Sequence, residues 1–357
     1  MKSKVFFVPA DESDGMQEIQ SKFRKMLLFS KLFDCVKAND KAVIKMHFGE
    51  EGNTGHVRPD YIRIIVDLIA EKKASAVLSD TNTLYVGRRV RSAEHEKLAQ
   101  EHGFTKKNTG APVVVPDERD GEKCVTVGVN KAFVKDAKVL KLYREADVLV
   151  GVAHFKGHLV TGFGGAIKNI GMGCASREGK LAQHSTLSPV VYTQKCTGCG
   201  ECVSVCLVEA ISLVNKKSSI DGAKCIGCAS CIAACRFEAI DVNWGSGAGT
   251  LQEKMAEYAY AVLHGRKNNI FVNVVMKITA ECDCLAKDDP RIVEDVGILV
   301  SADPVALDHA SYDLVCQKAN GRDVFKEAHP KSDSHKQLGH AENLGLGMKN
   351  YELVLGI

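Results

Sequence analysis

Short apolar runs alternate along this chain with stretches whose apolar residues recur every three or four positions. The runs Val5–Val8, Ala42–Phe48, Ala76–Ser79, Val148–Val152, Ile270–Ile278, Val296–Val300 and Tyr351–Leu355 predict strands, and Val113–Val115 and Val125–Val129 predict two more. Between them, Met16–Val36 carries Ile19, Phe23, Met26, Leu27 and Phe33 at helical steps. Asp60–Lys72 follows Arg58-Pro59, where proline suits a helix start, and Arg88–His102 is closed by Gly103. Lys135–Glu145, Leu251–Leu263 and Pro304–Ala319 complete the predicted helices. Alternation of this kind predicts an α/β fold, a mostly parallel sheet with helices on both faces.

The texture breaks twice. Thr161–Gly173 is glycine-rich, and a cysteine-dense stretch then runs to Trp244, where Gly245-Ser-Gly-Ala-Gly249 ends it. The α/β pattern resumes afterwards. The remaining hundred or so residues are short for a separate doubly wound domain. The expected organisation is therefore one α/β domain in two parts, residues 1–188 and 245–357, with a small α+β unit, residues 189–244, inserted between them.

Composition narrows the function classes. Of 357 residues 45% are hydrophobic and 25% charged, which is ordinary for a globular protein. Net charge is only +3, with basic and acidic residues interleaved and aromatics at 6%, so nothing marks a nucleic-acid surface. No apolar run approaches the roughly 18 residues of a membrane span. The apolar part of Met1–Pro9 is too short for a secretory leader. The expectation is a cytoplasmic protein with no nucleic-acid or membrane partner.

Fourteen cysteines in such a chain predict metal rather than disulfides. Eight form two copies of one pattern, Cys196-x2-Cys199-x2-Cys202-x3-Cys206 and Cys225-x2-Cys228-x2-Cys231-x3-Cys235. Each cysteine recurs 29 positions later, and the flank Glu209-Ala-Ile211 recurs as Glu238-Ala-Ile240, so the unit is duplicated. Three thiolates on a tight turn can hold one iron–sulfur cube, while the fourth lies on the next helical turn and reaches the other cube. The predicted ligand sets are Cys196, Cys199, Cys202 and Cys235 for one 4Fe-4S cluster, and Cys225, Cys228, Cys231 and Cys206 for the second. Gly198, Gly200, Gly227 and Ala229 are small enough to let backbone N–H groups approach the sulfides. Structural zinc favours separated CxxC pairs and fits this spacing poorly. Over about fifty residues the module resembles bacterial-type two-cluster ferredoxins, although Leu207 and Arg236 stand where that family has proline. Positive charge on Arg236 would raise one potential.

The larger domain has its own candidates. Cys282-Asp-Cys284 follows a strand; in extended chain its two sulfurs share a side, which suits a third metal or a redox pair. His47, His154 and His158 lie at strand ends, as does Asp80-Thr-Asn82, and strand ends are where α/β sheets bind ligands. Imidazole and thiolate together would suit iron, zinc or nickel. Lys156 and Lys168 could hold an anion, with the glycine-rich stretch offering N–H groups at a helix start. Asp303 reads as a helix cap ahead of Pro304, with Asp308 one turn on.

Lys45-Met-His47, Ser79-Asp-Thr-Asn82, His154-Phe-Lys-Gly-His158, Gly164–Asn169, Cys282-Asp-Cys284, Asp303–Asp308 and His340–Gly347 together resemble domain-of-unknown-function family 362, in its ferredoxin-containing form. That resemblance implies an iron–sulfur protein of anaerobic-type metabolism and names no substrate. The functional expectation is an electron-transfer or oxidoreductase protein. Its two [4Fe-4S] clusters would pass electrons between a redox partner, protein or small molecule, and a site at Cys282, Cys284, His47, His154, His158 and Lys168. The alternative is a non-catalytic reductive activator or metal-handling maturation factor.

Overall fold

A computed structural model describes residues 2–85, 87–117, 123–185, 188–244 and 248–356. Seven strands form one sheet in the order Tyr351–Leu355, Ser3–Pro9, Gly297–Ser301, Asn269–Val275, Val148–His154, Lys41–Lys45, Ser75–Ser79. Gly297–Ser301 runs antiparallel to both neighbours, and every other pairing is parallel. The predicted α/β class with a mostly parallel sheet is therefore what the chain adopts.

Alternate residues of each strand feed opposite cores, as the two-residue period of a strand requires. Val5, Phe7, Leu149, Phe271 and Leu299 join one apolar cluster with the helices Ala166–Gly171, Leu251–Leu263 and Pro304–Lys318. Phe6, Val150, Val272 and Val300 join another with Met16–Ser30 and Pro59–Glu71. Both faces are covered, which explains the near-continuous apolar character of the central strands.

Four readings of the pattern need correction, and the first is Val113–Val115, where an isolated bridge from Leu78 to Val113 stands in place of the expected strand. Asp136–Leu140, expected within a helix, is a strand paired antiparallel with Cys124–Gly128, and only Lys141–Arg144 is helical. Ala137 and Val139 are buried while Asp136 is exposed, a period of two masked by the charged residues between them. Arg88–His102 is broken at Arg91, whose φ of −124° is extended, so the regular helix is Ser92–Glu101. The long first helix stops at Ser30 because Lys31 turns left-handed, φ 57°.

Residues 188–244 add no strand to the central sheet. Val190–Val191 pairs antiparallel with Ile240–Asp241, and Ile211–Val214 with Lys217–Ile220. Positive φ recurs at equivalent places of the two halves: Gly198 and Gly227, Gly200 and Ala229, Glu209 and Glu238. The duplication read from sequence is thus also a duplication of backbone conformation. The apolar core of this segment includes Leu84 and Leu181 from outside it. Of the glycine spacer 245–249, positions 245–247 lie outside the described residues.

Candidate functional site

After Cys206 and Cys235 the chain closes matching turns, the Glu209 N–H donating to the Cys206 carbonyl and the Glu238 N–H to the Cys235 carbonyl, each at 3.2 Å. One cavity is lined by Cys196, Cys199, Cys202 and Cys235. The other is lined by Cys225, Cys228, Cys231 and Cys206. Backbone N–H groups already point at the sulfurs: Ala210 donates to Cys206 Sγ at 3.2 Å and Ala239 to Cys235 Sγ at 3.3 Å. These two bonds are the same bond in the two repeats. Ser218 donates its N–H to Cys196 Sγ at 3.4 Å. Cys199 is exposed, whereas Cys196, Cys202, Cys231 and Cys235 are buried. Arg236 sits 3.7 Å from Glu201, both largely in solvent, so its charge is partly offset. Among the described residues no three His, Cys, Asp or Glu side chains converge closely enough to hold a single metal ion.

A second constellation lies at the ends of four sheet strands. Cys282 and Cys284 are not in extended chain as expected. The Leu285 N–H donates to the Cys282 carbonyl at 3.0 Å, closing a turn that brings the two thiols into hydrogen-bonding contact. That contact and two nearby ammonium groups, Lys168 and Lys156, hold the buried Cys282 thiol well below its usual range, against burial. The same contact, with burial, pushes Cys284 up. Lys168 Nζ lies 3.6 Å from Cys282 Sγ.

Asp283, between the two cysteines, points the other way. Both of its carboxylate oxygens lie 2.9 Å from His154 Nδ1, and Oδ2 is 3.3 Å from Lys156 Nζ. Burial would raise this carboxyl, yet His154 and Lys156 take it well below the usual carboxylate range. His154 Nε2 is 2.8 Å from the Met276 carbonyl, so both ring nitrogens already have partners and neither is turned to a ligand. His47 is also engaged: Nδ1 faces the Gly49 N–H at 2.9 Å and Nε2 faces Arg89 Nη1 at 2.6 Å. Burial, and then Arg89, depress its basicity. His158 Nδ1 faces the Val160 and Thr161 N–H groups, each at 3.2 Å. The structure therefore brings Cys282, Cys284 and Lys168 together, uses His154 to hold the turn, and leaves His47 and His158 as buttressed neighbours.

Two expected roles change. The N–H groups of Ala166 and Ile167 donate to Asp308 at 2.6 and 2.9 Å, so the glycine-rich helix start is filled by the protein's own carboxylate and not by an external anion. Asp308, also bonded to Asn273 at 2.8 Å, is fully buried and does not face a cleft. Asp303 is a cap as read, its Oδ1 accepting from Val305 and Ala306.

Sequence reasoning missed Arg89, Tyr85 and Glu50. Arg89 is buried, 2.8 Å from Glu50, and bonded to Tyr85, whose hydroxyl donates to the Cys284 carbonyl at 3.0 Å. No local pattern marks them, since their partners are distant in sequence. Lys45, flagged only as a neighbour of His47, pairs with buried Asp80 at 2.9 Å and bonds Asn169 at 3.0 Å.

Residues 42–313 match the family model described as Domain of unknown function (DUF362). No curated protein matches the chain. Among solved structures, a protein from Thermotoga maritima is 12% identical with a TM-score of 0.46, covering 88% of this chain and 60% of its own. The lactate racemase apoprotein from Thermoanaerobacterium thermosaccharolyticum is 16% identical with a TM-score of 0.38, covering 77% of this chain and 51% of its own. The chain thus spans about half to three fifths of those proteins' lengths. Among the described residues no helix is long and apolar enough to cross a membrane.

Proposed function

The chain belongs to the DUF362 family, and from that premise we propose that it is an iron–sulfur oxidoreductase whose residues 189–244 form a ferredoxin-like module for two [4Fe-4S] clusters. Cys196, Cys199, Cys202 and Cys235 would hold one cluster; Cys225, Cys228, Cys231 and Cys206 would hold the other. The observation that carries the reading is the lining of the two cavities, each taking three cysteines from one repeat and the fourth from the other. A four-iron cube binds each thiolate at a different iron, so its ligands stand around a space instead of converging on a point. The N–H groups of Ala210, Ala239 and Ser218 fit this role, because hydrogen bonds to cluster sulfurs tune potential.

When bound, the clusters would supply one-electron transfer; the chain's own residues would orient the partner and the acceptor. The acceptor site is the strand-end constellation around Cys282, Cys284 and Lys168. Ammonium groups beside Cys282 stabilise a thiolate and repel a metal cation, which weighs for electron transfer over metal delivery.

The test is anaerobic iron and sulfide analysis with EPR on the purified chain. About eight irons and eight sulfides per chain are expected. Stoichiometric zinc with no sulfide would overturn the proposal.

A further inference from the structure

We infer that Cys282 and Cys284 are a redox-active pair that cycles between dithiol and disulfide at the inner end of the electron path. For its electron source this rests on the cluster reading above. Three observations carry it.

The first is contact. The turn closed by Leu285 N–H and the Cys282 carbonyl carries both cysteines, and their thiols are hydrogen-bond partners. The second is surroundings. Lys168 Nζ stands 3.6 Å from Cys282 Sγ, and Lys156 is held beside the turn by Asp283. A fixed cation next to a thiol favours the thiolate that thiol–disulfide chemistry uses. Cys282 is buried and Cys284 half-buried, so both sulfurs are sheltered from bulk solvent beside these ammonium groups.

The third is position. Leu84 packs into the core of the cysteine segment, and its neighbour Tyr85 hydrogen-bonds the Cys284 carbonyl at 3.0 Å. On the other side Leu181 packs into the same core, 3.6 Å from where a Cβ on Gly227 would lie. One turn further, His184 meets Trp244 with ring centroids 4.9 Å apart, and it lies close enough to Lys168 to feel its charge. Two short bridges therefore join the cysteine segment to the two sides of the Cys282–Cys284 turn.

The step balances. The S–S bond takes up two electrons and two protons and becomes two thiols; the reverse step returns them. The reductant is of the iron–sulfur class, one electron from each of two centres, which matches the two electrons of one disulfide.

The experiment is an anaerobic dithionite titration of the mildly oxidised full chain. It is run on wild type and on a Cys282→Ser/Cys284→Ser double variant, with iron content measured on both. Thiol alkylation and peptide mass analysis follow each addition. Wild type should take up about four electron equivalents and the double variant about two, at equal iron content. Alkylation at Cys282 and Cys284 should appear together as the extra two are consumed. Equal uptake by both proteins at full iron loading would overturn the inference while leaving the cluster reading intact. So would a further metal lost only in the double variant. A disulfide found in an iron-free chain would overturn the stated electron source and the cluster reading, and single-variant Cys282→Ser alkylated only at Cys284 controls for misfolding.

Discussion

Replacing Asp283 by asparagine tests whether the turn carrying the two cysteines is held by charge. Asp283 is buried, as are its partners His154 and Lys156. Removing one member of a buried ion pair costs about 3–5 kcal/mol, because the other charge is left without compensation. At about 2–4 °C per kcal/mol, that is a fall of about 6–20 °C in midpoint. Lys156→Met should cost less, about 1–3 kcal/mol, since Asp283 keeps His154. The double variant leaves no unpaired ammonium, so its loss should fall short of the sum of the single losses by at least about 1 kcal/mol. Urea unfolding followed by far-UV circular dichroism, under anaerobic conditions, measures all four corners of this cycle. Acid adds a second readout. The Asp283 pKa is lowered by folding, so its stabilisation is present above the unfolded carboxylate value of about 3.9 and is lost as pH falls below it. The asparagine variant should lack that acid-dependent portion. Strict additivity of the two single losses would refute the idea that Asp283 and Lys156 act as a pair.

Other substitutions probe separate parts of the molecule. Burial pushes Asp308 up to about 6, so the fold favours its protonated form and loses stability as pH rises from about 4 through about 6. The loss amounts to about 3 kcal/mol, and Asp308→Asn should flatten that part of the stability-versus-pH curve measured by urea unfolding. Cys206→Ser should abolish the same EPR component as Cys228→Ser and not the one lost in Cys199→Ser, because Cys206 lines the cavity of the second repeat. Loss of the Cys199 component instead would refute the crossover. Gly157→Ala would place a Cβ 2.2 Å from the Ala280 carbonyl oxygen, and should cost about 1–3 kcal/mol in the same unfolding assay; a neutral result would mean the Ala280–Cys282 approach yields easily.

Most of the body could be read from the chain because central strands buried on both faces announce themselves as apolar runs. Asn269–Val275 and Val148–His154 did so, and Leu251–Leu263 kept its helical period to the residue. The strand Asp136–Leu140 did not, since exposed Asp136 and half-buried Lys138 alternate with buried Ala137 and Val139 and interrupt the apolar run. The duplication of the cysteine segment was legible from its repeated spacing and flanks, and positive φ recurs at matching places in its two halves. The strand-end site was legible only in part. Cys282, Cys284, His154 and Lys168 stood out by type, yet their roles depend on partners far along the chain. His154 looks like a ligand in sequence and is a brace in space, because Asp283 lies 129 positions away. Arg89 and Tyr85 carry no local mark at all: their meaning comes from Glu50 and the Cys284 carbonyl.

The strand order has a consequence for the protein's birth on the ribosome. Ser3–Pro9 is made long before its two sheet neighbours, Gly297–Ser301 and Tyr351–Leu355. At about 5–20 residues per second, the Val5-Phe-Phe-Val8 run waits on the order of 15–60 s for its first partner. Residues 188–244, which pair only among themselves, are complete well before that. The nascent chain can therefore fold its cysteine segment, and on the reading proposed above load it with iron, while the surrounding body is still open. The same interval leaves an apolar strand edge uncovered, the kind of surface that invites aggregation during synthesis, and on the proposed reading the segment's demand for iron falls midway through it.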